Sequence, residues 1–72
     1  MDRRVEIFKT NVRLQSQAKE IISLLQDHFP CSKINFDLHD CDKILRVEGD
    51  KFVVEKIVAL VKENGFHCAV LD

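Results

Sequence analysis

The chain contains no tryptophan and no tyrosine, two glycines and a single proline. Each scarcity excludes something. Without Trp or Tyr, any core must be built from the five Phe and from Ile, Leu, Val and Ala. Two isolated glycines leave no glycine-rich loop to cradle a phosphate. One proline and no low-complexity run leave no linker, so the chain reads as one domain over residues 1–72. Charge of either sign is also lacking in excess: eleven basic residues face twelve acidic ones, a net charge of -1. Nucleic-acid binders of this size carry a basic stripe, so no nucleic acid is expected as a partner. Arg3 and Arg4 read as a solvated N-terminus. No apolar run reaches the roughly 18 residues of a membrane span.

Cysteine is present but unpaired by count. Cys31, Cys41 and Cys68 are odd in number and irregular in spacing, which argues against a disulfide framework. The opening "MDRRVEIF" lacks the apolar stretch of an export signal, so a small soluble protein with reduced thiols in the cytoplasm is expected. There is no HExxH and no Cys–His nucleophile pair, and the chain is not expected to be an enzyme. Asp37, Asp40 and Asp42 read as solvated carboxylates.

Hydrophobic residues make up 46% of the chain and charged residues 32%, as in a compact folded domain. "RVEIFKT" alternates as a strand, with Val5 and Ile7 assigned to the core and Phe8 to the opposite face. Ala18, Ile21, Ile22, Leu25 and Phe29 then repeat with helical period from Leu14, with Asn11 as the expected N-cap and Pro30 as the stop. "SKINFDLHD" and "KILRVEG" alternate as two strands around a hairpin turn at "HDCD". They give Ile34, Phe36, Leu38, Leu45 and Val47 to the core. Asp50 is the expected cap of a second helix with Val54, Ile57, Val58 and Val61 buried, closed by Asn64-Gly65. "FHCAVL" is a last strand with Phe66, Cys68 and Val70 facing inward. The order β-α-β-β-α-β predicts an α+β fold: a ferredoxin-like sandwich, antiparallel sheet order 4-1-3-2, with both helices on one face.

This element order, the element lengths and the ending "NGFHCAVL" are similar to the heavy-metal-associated domain family, the fold of copper metallochaperones. The family's metal motif, G-M-T-C-x-x-C, lies on the first strand-to-helix loop. Matching Ile21, Leu24 and Leu25 to the family's helix places that motif on residues 11–17, "NVRLQSQ", with its two cysteine positions at Leu14 and Gln17. The resemblance therefore implies a metallochaperone-like scaffold without the CxxC copper site. Leu is no ligand, and an amide oxygen is a poor one for Cu(I).

Two functions of different class follow. A metal-binding or metal-trafficking protein would use His39, Cys41, His67 or Cys68 as relocated ligands for Cu or Zn. A protein-interaction module would bind a protein partner, or a second copy as a homodimer, through the open sheet face. Phe8, Ile44, Arg46, His67 and Ala69 are the candidate contact residues there, and no cofactor is implied.

Overall fold

The computed structural model describes residues 4–71; the expectation for Arg3 lies outside them. Along the chain run β1 (Arg4–Thr10), α1 (Gln15–His28), β2 (Lys33–Asp37), β3 (Ile44–Gly49), α2 (Val54–Glu63) and β4 (Cys68–Val70). All strand pairs are antiparallel and the sheet order is β2-β3-β1-β4, the expected order read from the other edge. The result is a small α+β architecture compatible with the ferredoxin-like class. No helix of the described residues is long and apolar enough to cross a membrane.

The helices bury the residues that their periodicity selects. Ile21 and Leu25 of α1 meet Ile57, Leu60 and Val61 of α2 in one cluster with Phe8, Ile34, Leu45 and Val47 of the sheet. Pairing in register puts Phe8 beside Leu45 and Ile34 beside Val47, so these four share one face. Helix α2 ends at Asn64, and Gly65 follows with φ 90°, a left-handed position that suits glycine.

The face of β1 is the reverse of the expected one. Phe8 is completely buried, while Val5 is 52% exposed and Ile7 is half-buried opposite Arg46. Phe8 is thus a core residue and not an interface candidate. The reason is steric and hydrophobic together. Adjacent Ile7 and Phe8 compete for the covered side, and the larger ring gains more from burial. Thr10 and Val12, in phase with Phe8, are buried too. The expected core also gives up Val70, 41% exposed on the three-residue edge strand, and Leu38, half-buried in the hairpin.

Both expected helix caps are corrected. Asn11 lies ahead of the helix, and Leu14 is the N-cap residue of α1. Asp50 lies ahead of α2, which starts at Val54 after an N-cap at Val53. The intervening stretch instead buries Phe52. Arg4 lies with its guanidinium 4.4 Å from the Phe52 ring centroid and donates to the Phe52 carbonyl, so it is anchored rather than simply solvated. Gly49 packs closely on Ser32: a Cβ there would come 2.9 Å from Ser32 Oγ, so the hydroxyl would have to shift.

The reversed strand makes a sharp prediction. Phe8→Ala should cost about 3–5 kcal/mol, whereas Val5→Ala should cost about 0.5 kcal/mol or less. Urea unfolding midpoints measure both, and equal losses would mean that β1 presents the other face.

Candidate functional site

Three connections gather at one end of the sheet, and Thr10 and Asn11 tie them together. The Thr10 hydroxyl donates to the Lys43 carbonyl at 2.6 Å and accepts from the Val12 N–H at 3.2 Å. The Thr10 N–H donates to the Asp42 carbonyl at 3.0 Å. Asn11 Oδ1 accepts from the His67 N–H at 2.8 Å. The hairpin, the loop after β1 and the loop before β4 are therefore held by short polar contacts from two neighbouring residues. Neither residue was singled out for this role by alternation, because the contacts join segments distant in sequence.

Leu14 and Gln17, the positions that the resemblance sets against the motif's cysteines, differ in what they do here. Gln17 Oε1 accepts from the backbone N–H of Leu14 at 3.2 Å and of Arg13 at 3.3 Å, satisfying donors that a helix start leaves open. Leu14 is 58% exposed and adds nothing to the core. Around them lie Asn11, Arg13, Lys43 and Phe66, an amide, two cations and a ring. None of these is a soft ligand for Cu(I).

The four relocated-ligand candidates fall in two separate places. His39 and Cys41 are exposed on the hairpin. His67 and Cys68 line a hollow with Lys9, Thr10, Asn11, Lys62 and Ala69. Cys68 is buried, and burial pushes its thiol from 9.0 up to about 11, against a weaker opposing pull from Lys62. A thiol held in its neutral form is a poor ligand and a poor nucleophile. Among the described residues, the acidic or ligating groups that converge are Asp40, Cys41 and Asp42, whose ligand atoms lie within 4.8 Å of one another. His39, His67 and Cys68 are outside that group.

The face of the sheet away from the helices has a definite composition. Ile7 lies between Arg46 of β3 and Leu71, whose N–H donates to the Ile7 carbonyl at 2.8 Å. Arg46 in turn pairs with Asn35, and Ile44 pairs with Asp37. Ala69 pairs with Lys9 and is exposed. Ile7, Ile44 and Leu71 form the apolar floor of a depression of about 510 Å³, whose other lining residues are Asn35, Phe36, Asp37, Asp40, Asp42 and Arg46, Phe36 reaching it from the row of the buried Leu45. Of the expected contact residues, Ile44 and Arg46 line it. His67 and Ala69 belong to the hollow beyond Lys9. Ile7, expected in the core, and Leu71 are not among the expected contact residues, Ile7 because of the reversed strand phase.

No family model, no curated protein and no solved structure matches this chain.

Three measurements check this geometry. At pH 8 a thiol reagent should modify the exposed Cys31 and Cys41 quickly and Cys68 only on unfolding. Because the fold favours the neutral Cys68 thiol, its contribution to stability is full below pH 9.0 and is lost as pH rises through about 11. Cys68→Ala should remove that part of the alkaline slope in denaturation curves. For the metal, reduced wild-type protein should lose Cu(I) to a strong chelator. Leu14→Cys with Gln17→Cys should retain Cu(I), since the paired thiols would sit at a helix N-terminus. Wild-type retention that survives Cys41→Ser and Cys68→Ser would contradict this ligand assignment.

Proposed function

We propose that the protein is a metal-free interaction module on a heavy-metal-associated-like, ferredoxin-like scaffold, contacting a protein partner through its open sheet face, with no catalytic step. The observation that carries this reading is the apolar floor of Ile7, Ile44 and Leu71 on the sheet face that the helices leave uncovered. Val5, in phase with Ile7, adds to the same face. Apolar groups set among charged ones match the arrangement of an interface core and its polar rim. Three free thiols suit a reducing compartment, and we place the protein in the cytoplasm on that ground.

A second copy on this face alone would bind weakly. Four strands at ~4.8 Å spacing by the length of the seven-residue β1 at ~3.3 Å per residue give roughly 450 Å² of projected area. Stable interfaces bury about 800 Å² per partner. A homodimer therefore requires contacts beyond the sheet, and a smaller partner segment fits the face better.

A photoreactive amino acid placed at Arg46, and in a separate variant at Ser23 on exposed helix surface, tests the face in cells. The probe at Arg46 should give discrete protein adducts that the probe at Ser23 does not, and Ile44→Glu should remove them. Identical adduct patterns from both probes, or adducts indifferent to Ile44→Glu, would overturn the proposal.

A further inference from the structure

We infer that the occupant of the open face is a short extended peptide segment combining apolar and cationic residues, whose Lys or Arg side chains meet the hairpin carboxylates. This rests on the proposed role of the sheet face and adds the chemistry of the partner.

The argument starts from the asymmetry of the depression. Its floor of Ile7, Ile44 and Leu71 is bounded at the hairpin by Asp37, Asp40 and Asp42. The turn engages two of these acids through the backbone: the His39 N–H donates to Asp37 Oδ1 at 3.2 Å, and the Asp42 N–H donates to Asp40 Oδ1 at 2.9 Å. Each carboxylate retains acceptor capacity for a further donor. Arg46 is the cation that shares the depression, in the row of Ile7 and Asn35. Three carboxylates and one guanidinium line the depression, while the Lys43 ammonium of the same hairpin is held by the Leu38 carbonyl, so the lining carries a negative excess in a chain whose total charge is only -1. A chain of like composition would bring little net positive charge, so complementarity favours a cationic segment over a second copy.

The spacing sets the register of that segment. From β1, which carries Ile7, to β2, which carries Asp37, is two strand intervals, roughly 10 Å. An extended peptide laid across the strands advances ~3.3 Å per residue and turns alternate side chains toward the sheet. An apolar residue over Ile7 and Leu71 thus places the residue two or four positions onward within Lys or Arg reach of the carboxylates.

The probe is a short synthetic peptide with Leu then Lys at alternate positions and Ser between, titrated into nitrogen-15-labelled protein. Amide shifts should centre on Ile7, Asp37 and Ile44 and should diminish with added salt. The matching peptide with Glu in place of Lys should bind about tenfold more weakly, the effect of a few exposed ion pairs. A protein carrying Asp37→Asn, Asp40→Asn and Asp42→Asn keeps the turn acceptors and should bind both peptides alike. Equal binding of the two peptides by wild type at this face would overturn the charge assignment and leave the face itself standing. Shifts of the same amides on dilution without peptide would make a second copy the occupant and overturn the inference. No shift with any peptide would also overturn it, while the photocrosslinking pattern judges the face independently.

Discussion

A strand has two sides, and in this domain the side that β1 gives to the helices is occupied by Phe8. The ring is completely buried and belongs to one cluster with Leu45, Ile21, Leu25, Ile57 and Val61. Side chains alternate with a period of two, so this choice decides every other position on β1. Thr10 and Val12 go inward with Phe8, while Val5, Ile7 and Lys9 go outward. The outward set then meets Arg46 and Ala69 on the neighbouring strands. One side chain therefore shapes both the core and the face opposite it.

The fold's outline was legible because its signals are repetitive. Ile21 and Leu25 recur at helical spacing, and Ile34, Phe36, Leu45 and Val47 recur at strand spacing. Asn64-Gly65 marks a helix end by backbone chemistry. Within β1 itself the phase is ambiguous, because Ile7 and Phe8 are adjacent and both apolar. Phe8, Thr10 and Val12 form a buried series only when followed into the loop. Phe52 was hidden for a different reason, since it lies in irregular chain between Gly49 and Val54, where no period applies. The caps failed because a polar residue near a helix start is a candidate, not an address. Asn11 spends its side chain on His67, and the Gln17 side chain serves the helix start instead.

The candidate site was legible in half. Ile44 and Arg46 follow directly from the alternation of β3. Ile7 and Leu71 depend on the phase of β1 and on a backbone bond past the end of β4. The carboxylate rim depends on how the hairpin bends. Lys43 takes φ 48°, and its ammonium donates to the Leu38 carbonyl at 3.0 Å, closing the turn that sets Asp40 and Asp42 beside the sheet. Such bends arise from contacts across the turn and leave no periodic trace in the sequence.

Strand β1 sits between β3 and β4, so both of its partners lie far downstream of it in the chain. Until residues 68–70 have joined, one edge of β1 carries unpaired backbone groups. Helix α1, by contrast, can form from its own neighbours. The growing chain must therefore keep a half-paired central strand, with Phe8 on it, out of other chains' sheets until almost the whole domain is available. Net charge near zero gives little electrostatic protection during that interval. The single feature that places β1 at the centre of the finished sheet thus makes its protection depend on the last strand to pair.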